Sequence, residues 1–468
     1  MEEKDKNEQP GQEVVVRKNI SREHSCLGFI LDDGTIGELC YDPQTKEGQF
    51  AIASPGKSIQ LLPEYIGEDG TLYLPLKGKL IGGDILFPSK PTKYLESTKS
   101  IFQDVKEYIH RYVDLPEDFE DIASIYVLLT WVYDALQSLP YIRLRGNLST
   151  GKSRFLKVAG AICFRSINCS GATSASAVFR LIDTYRGTLV MDEADWRFSG
   201  EWAEVIKILN NGYEPGTPVY KSAKQSDGRW DPECYHVFGP KILATKERFK
   251  DDALESRMIT QVTEPTLREE IPPNLPDIQK EEALALRNRL LVFRLQNWHK
   301  VKENAQQQDT IPHTVIPRTR QILTSMAAVA GTDQNLLNMV LEYVNKFDEE
   351  VMWNRQETTE FAVLQAIIDL KLNDDELSMF NIADKVYGST IASSWGPRSV
   401  GRVVREKLGL HTDRATTGIS GIRTNRIVAI WDDPKIEALC KYYGILPHAR
   451  DVYDVYTVSS RTGDPVKV

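Results

Sequence analysis

P-Y-I-R-L-R-G-N-L-S-T-G-K-S-R-F-L runs from Pro140 to Leu156. Tyr141 to Leu144 is a short apolar strand. The turn Gly146-Asn147-Leu148-Ser149-Thr150-Gly151-Lys152-Ser153 comes next and leads into a helix. This is G-x-x-x-x-G-K-[ST] in the strand–turn–helix setting that the motif requires. The glycines let successive backbone amides converge on an anion, and the helix N-terminus adds partial positive charge. Lys152 is thereby placed for the β- and γ-phosphates of ATP, and Ser153 for the accompanying Mg²⁺.

Thr188 to Asp195, T-L-V-M-D-E-A-D, is an apolar strand ending in carboxylates, and Asp192 comes forty residues after Lys152. Asp192 suits the metal and Glu193 suits orienting and deprotonating an attacking water. The letters D-E-A-D also suggest a two-lobed superfamily 2 helicase. That assignment needs a second nucleotide lobe with its own arginine-rich motif, and nothing after residue 265 supplies one. A third strand, V-F-G-P-K-I-L-A-T-K at 237–246, ends in Thr245, a polar residue able to reach a γ-phosphate or the water. D-D-A-L-E-S-R-M-I at 251–259 is a short helix ending in Arg257, followed by a strand. Arg257 has two readings there, an ion pair with Asp251 or Glu255, or an arginine presented to a neighbouring subunit.

The set G-N-L-S-T-G-K-S, T-L-V-M-D-E-A-D, F-G-P-K-I-L-A-T and A-L-E-S-R resembles the AAA+ ATPases of phages and integrated mobile elements. Those are similar to superfamily 3 and MCM-like replicative helicases, including replication helicases of staphylococcal islands and cassettes. The resemblance spans about residues 85–350 and, more loosely, the winged helix expected after them. It implies a hexameric ring with ATP between subunits. Lys152 and Ser153 then belong to Walker A, Asp192 and Glu193 to Walker B, Thr245 is sensor 1 and Arg257 the trans finger. Arg320, in P-R-T-R-Q-I-L, resembles an MCM-type sensor 2, with Arg318 as the near alternative.

The expected fold class is α/β: an AAA+ P-loop ATPase core with a small N-terminal β-rich domain and a C-terminal winged helix. Residues 1–13 are polar throughout and are expected to be disordered. Over 14–86, short β-type runs alternate with D-D-G, D-P, E-D-G and K-G turn signals. At under 90 residues, that region is too small for a polymerase-type primase domain. Phe87-Pro88-Ser89-Lys90-Pro91 marks a boundary, and the ATPase domain with its preceding helices and helical lid is expected over 87–354. Helical patterns occupy 97–113, 119–137, 278–301, 318–330 and 335–354. Residues 355–445 read as three helices, a glycine-punctuated hairpin and a closing helix, the order of a winged helix-turn-helix. Residues 446–468 are expected to form a C-terminal tail.

Two stretches are candidates for holding DNA. Between the Walker B helix and the sensor 1 strand, two β-type runs flank S-D-G-R, a hairpin signal. In the related rings this hairpin enters the pore, which makes Lys221, Lys224 and Arg229 candidates to grip one strand's phosphates, with Trp230 available to stack. Residues 396–430 carry Arg398, Arg402, Arg405, Lys407, Arg414, Arg423 and Arg426 against only Glu406 and Asp413. That local excess suits duplex phosphates, although winged helices also dock proteins.

Composition bounds the alternatives. The 468 residues allow two or three domains, with 41% hydrophobic and 26% charged residues. The formal net charge of −9 excludes a global basic field, so DNA contact must be local. Six cysteines without a C-x-x-C pair argue against zinc and disulfides and fit a reducing cytoplasm. The charged N-terminus gives no secretory signal, and no apolar run approaches the roughly 20 residues of a membrane span. The leading expectation is therefore an ATP-driven, ring-forming DNA helicase or translocase for replication of a mobile element. Its rivals are a nucleotide-switched DNA-binding initiator and a protein-remodelling AAA+ ATPase.

Overall fold

The computed structural model describes residues 20–92, 97–192, 200–224, 230–307, 310–388, 396–419 and 422–445. The expected disordered segment 1–13 and tail 446–468 lie outside the described residues. The chain forms two compact units, Met1–Val344 and Asn345–Val468.

The first unit opens with β1 (Arg22–Cys26), β2 (Gly28–Ile30), β3 (Ile36–Asp42), β4 (Glu47–Ala53), β5 (Gln60–Leu62), β6 (Tyr65–Ile66) and β7 (Thr71–Pro75). β2-β3-β4-β5 is an antiparallel sheet, while β1 pairs in parallel with β7, which carries β6 on its other side. The expected β-rich region is thus present, but it has no core of its own. Leu27, Phe29, Leu39 and Phe50 belong to the same buried cluster as Tyr141, Phe179, Met191 and Leu243. Phe87, at the expected boundary, is buried in that cluster too. An ion network reinforces the joint. Glu38 on β3 accepts from Arg165 Nη2 at 2.6 Å and Arg294 Nε at 2.8 Å, and Arg294 forks onto Asp134 at 2.8 and 2.7 Å. Of these four charged residues, Glu38, Arg165 and Arg294 are buried.

Next come α1 (Thr98–Tyr112), α2 (Glu117–Val132), β8 (Tyr141–Arg145), α3 (Lys152–Gly160), β9 (Ile167–Cys169), α4 (Ala175–Tyr185), β10 (Leu189–Met191) and α5 (Gly200–Asn211). The unit continues with β11 (Val219–Lys224), β12 (Trp230–Tyr235), β13 (Lys241–Thr245), α6 (Asp252–Glu255), β14 (Met258–Val262), α7 (Ile278–Gln306), α8 (Pro317–Ala330) and α9 (Gln334–Gln356). Ser97 and Ser174 cap α1 and α4 with their side-chain oxygens, which satisfies otherwise orphaned N–H groups. α2 is buried nearly all round, as its lack of a polar stripe requires.

Strands β14-β8-β13-β10-β9 form one wholly parallel five-stranded sheet in that order. The inner strands β10 and β13 are buried along their whole length, as in a sheet covered on both faces, while the edge strand β14 is exposed toward its end. β13 lies between the P-loop strand β8 and the carboxylate strand β10. In parallel strands all C-terminal ends share one edge, so the turns after β8, β10 and β13 meet there.

In the second unit, α10 (Thr359–Leu372), α11 (Met379–Tyr387) and α12 (Pro397–Arg402) are followed by a π-turn over Val403–Lys407. β15 (Thr412–Ile419) and β16 (Ile422–Ala429) form an antiparallel hairpin, and α13 (Asp433–Tyr443) closes the unit. Val363, Leu364, Ile367, Ile382, Val400, Val404 and Ile436 are fully buried in its core. The division at 344/345 comes ten residues before the expected 354/355, within the residues of α9. Among the described residues no helix is long and apolar enough to cross a membrane.

Candidate functional site

The loop Gly146–Ser153 is shaped by two positive φ values, 61° at Ser149 and 82° at Gly151, and α3 begins at Lys152. Gly151 occupies the left-handed region at no steric cost. Gly146 is required for a different reason. A Cβ there would stand 2.5 Å from Thr263 Oγ1 and 2.7 Å from its carbonyl oxygen. Thr263, just past β14, anchors the loop: its N–H donates to the Arg145 carbonyl at 2.7 Å and its hydroxyl meets Thr150 Oγ1 at 2.7 Å. Sequence reading did not single it out, since nothing local marks it. Lys152 Nζ folds into the loop and donates to the carbonyls of Gly146, at 2.7 Å, and of Asn147. Asn147, Leu148, Ser149 and Ser153 are exposed, so the loop faces outward.

Two further residues arrive at the same sheet edge. Thr245 ends β13, level with Arg145, and its carbonyl accepts from Gly146 N–H at 3.2 Å. Its side chain is 1% exposed, and among the described residues Oγ1 has no hydrogen-bond partner. A buried hydroxyl without a partner is costly, and such atoms concentrate where a ligand completes the bonding. Asp192 follows β10, half-buried, with its N–H donating to the Cys169 carbonyl at 3.1 Å. Since Met191 is level with Leu243, Asp192 comes level with Ala244, next to Thr245. Glu193 lies outside the described residues. Cradle, lysine and orphaned hydroxyl together suit a nucleoside triphosphate, and Ser153 and Asp192 carry oxygens that could ligate an accompanying Mg²⁺.

Arg257 sits at the opposite edge of the sheet. Met258 is level with Tyr141, and Tyr141 N–H donates to the Arg257 carbonyl at 2.9 Å. The P-loop begins at Gly146, five residues beyond Tyr141 along β8, about 16 Å away at the usual rise. Neither expected ion pair forms. Glu255 is taken by buried Arg143 in a two-pronged bond of 2.9 and 2.6 Å. Asp251 caps α6 through Leu254 N–H, which holds its carboxyl below the usual range. Arg257 instead donates to Asn210 Oδ1 at 2.8 Å and lies 4.1 Å from the centre of the Tyr213 ring. Arg318 shares that ring at 4.8 Å, whereas Arg320 meets His313 Nδ1 at 2.5 Å.

β11 and β12 form the expected hairpin, and their register sorts its candidates. Tyr220, Ser222 and Lys224 share one face with Cys234, Pro232 and Trp230. Tyr220 and Trp230 are each 67% exposed. Lys221 is on the other face, where its ammonium lies 4.1 Å over the Phe179 ring and pairs with Glu204. The structure therefore separates Lys221 from Trp230. Arg229 and the Lys224 side chain lie outside the described residues.

In the second unit Arg398, Arg402 and Arg405 line a groove of about 550 Å³ with Met379, Phe380 and Ile427. Arg414 is exposed on β15, level with Ile427. Arg423 and Arg426 lie on β16, with side chains outside the described residues. All six cysteines are free thiols, and no metal-binding cluster of His, Cys, Asp and Glu occurs among the described residues.

No protein-family model matches the chain, and neither does any curated protein. Among solved structures, it is similar to the C-terminal region of NrS-1, with 12% identity over 84% of this chain and 96% of that one, at a TM-score of 0.34. It is also similar to "SCCmec type IV Cch - active helicase", with 11% identity over 88% and 95% and a TM-score of 0.36. Against the JCV helicase, the figures are 11% over 58% and 66%, at 0.24. Likenesses at these scores carry no weight for function.

Proposed function

We propose that this chain is an ATP-driven DNA helicase or translocase that works as a ring, of the kind that replicates mobile elements in the cytoplasm. The observation that carries the reading is the shared sheet edge. There a phosphate-shaped loop holding Lys152 stands beside the unpartnered, buried hydroxyl of Thr245. Lys152 exchanges the loop carbonyls for the β- and γ-phosphates, and the α3 amides take the remaining oxygens. Ser153 and Asp192 would hold Mg²⁺, which would supply neutralisation of charge on the β- and γ-phosphates. Thr245 donates its hydroxyl to the γ-phosphate or the water, and Glu193 accepts the water's proton.

Arg257 is at the wrong edge for its own loop, which supports its use on a neighbour's nucleotide and hence a closed ring, a hexamer by resemblance. The hairpin's exposed aromatic face, with Lys224 in register, supports a grip on single-stranded DNA. The helix order of the second unit and its local arginines support a winged helix on duplex DNA.

The test is ATP hydrolysis with and without single-stranded DNA, on protein sized by light scattering. Hydrolysis stimulated by the strand and abolished by Lys152→Ala is expected. Hydrolysis indifferent to DNA points to protein remodelling, and site-specific duplex binding without strand displacement points to an initiator.

A further inference from the structure

In the second unit Arg398, Arg402 and Arg405 are spaced four and three residues apart, which sets them on one helical face. The groove they line, about 550 Å³, falls in the range of roughly 300–1,000 Å³ that takes a ligand. Among the described lining residues, only Glu406 sets a carboxylate against them. Met379, Phe380, Pro397 and Ile427 make the rest of the wall largely apolar. Met379, Ile382 and Ala383 already bury the core face of α11, yet its Phe380 stands 57% exposed, and Ile427 of β16 45%. Phosphates account for the arginines. They give no reason for a phenylalanine and an isoleucine open to water beside them, so an occupant both acidic and apolar fits the groove better.

The same unit carries such a stretch. Residues 451–458 read D-V-Y-D-V-Y-T-V, two carboxylates among valines and tyrosines, without a basic residue. The repeat has a period of three, which is that of a polyproline II turn. In that conformation Asp451 and Asp454 share one edge, about 9 Å apart, and Tyr453 and Tyr456 share another. Arg398 and Arg405 are separated by seven helical residues, a rise of about 10 Å. The charges therefore match in spacing as well as in sign. The chain can also reach. Tyr443 meets Phe361 in the first turn of α10, with ring centres 5.8 Å apart, and the far end of α10 leads to α11 and the groove. The 14 residues of α10 cover about 21 Å. Asp451 and Asp454 come six and nine residues after Ile445, a reach of up to about 20 and 30 Å.

We infer that the segment 451–458 docks in this groove of its own chain, with its carboxylates on Arg398 and Arg405 and its tyrosines against Phe380 and Ile427. Docked there, it withholds the arginines from duplex DNA until the duplex displaces it. The docking stands on the groove and the segment alone, whereas the competition with duplex rests on the winged-helix reading.

The probe is a fluorescein-labelled peptide of residues 449–460, titrated with the full chain. The parent is compared with Tyr453→Ala/Tyr456→Ala, which should leave the groove empty, and each variant is checked by thermal melting. The peptide is expected to bind the tyrosine variant at least tenfold more tightly than the parent, whose own segment competes. Adding Phe380→Ala to that variant should lose the gain. A peptide with both aspartates replaced by asparagine should bind at least tenfold more weakly, a result that needs no change in the protein. A short duplex of arbitrary sequence is the second probe. The tyrosine variant and Phe380→Ala should each bind it at least fivefold more tightly than the parent, and the combination no more tightly than either, since both empty the same groove.

Equal peptide binding to parent and tyrosine variant, or binding indifferent to Phe380→Ala, overturns the docking. Competition that fades as the parent is diluted makes the occupant the segment of another copy, and overturns the assignment within one chain. Peptide results as expected, with duplex binding unmoved by Arg402→Ala, refute the winged-helix reading and leave the docking standing.

Discussion

Thr245→Val sets stability against activity in one substitution. The side chain is 1% exposed and its hydroxyl is unpartnered, so the nucleotide-free protein bears a desolvation cost of about 1–3 kcal/mol. Valine keeps the shape and removes the hydroxyl, which should return about 1–2 kcal/mol. The unit holding Thr245 spans Met1–Val344, for which the unfolding entropy is about 0.7 kcal/mol/K near the melting point. The expected rise in Tm is therefore ~2 °C without nucleotide. With nucleotide the order should reverse in function. Losing one donor aimed at developing charge lowers turnover by about 10²-fold, or ~2.7 kcal/mol. Calorimetry of the free proteins and phosphate release under saturating ATP are the two assays. A Tm lowered by more than about 1 °C would show that the hydroxyl has a partner in the free state. Unchanged turnover would remove Thr245 from the chemistry.

Glu38→Gln leaves Arg165 and Arg294 facing a neutral amide inside the core, at a cost of about 3–5 kcal/mol. Tm should drop by about 4–7 °C, and a shift below about 1 °C would mean that the network does not join the N-terminal strands to the core. Lys241 is fully buried, its Nζ donating to the carbonyls of Gly212, Val237 and Gly239, and burial pushes it down to about 7. The unfolded chain, with lysine near its ordinary value of 10.5, binds the extra proton across that window, so this group's contribution to stability rises from pH 7 to 10.5. Urea midpoints of parent and Lys241→Met should diverge over that range, and parallel curves would refute the assignment. Trp230→Ala should weaken single-strand binding by about 1–3 kcal/mol with an unchanged salt slope, because stacking releases no counterions; a shallower slope in a salt titration would mean the loss is electrostatic.

Much of the secondary structure was legible because its causes are local. Strand, tight glycine turn and lysine at the first helical residue lie within seventeen consecutive residues, and the φ of Gly151 and the start of α3 follow from that spacing alone. The β11–β12 hairpin and the helices after residue 278 likewise answer to short-range period and turn chemistry. Their bounds fall within a few residues of expectation, the longest extension being α7, which runs on to Gln306.

Tertiary packing decided what depends on partners far apart in the chain. Composition marked 14–86 as β-rich, but a shared buried cluster and the bonds of Glu38 to Arg165 and to Arg294, the latter 256 residues away, merge those strands into the body of the first unit. Spacing offered Arg257 two acidic neighbours. Arg143, from a strand more than a hundred residues earlier, claims one, and the α6 cap claims the other. Lys221 read as a strand-gripping cation until α4 and α5 gave its face Phe179 and Glu204. Arg318 and Arg320 are indistinguishable on paper, two letters apart. The ring of Tyr213, brought alongside by the fold, takes one and leaves the other. A charge's neighbours within a few residues follow from helical and strand periods. Its neighbours across the core follow from which apolar faces bury together, and only those set whether the charge is neutralised.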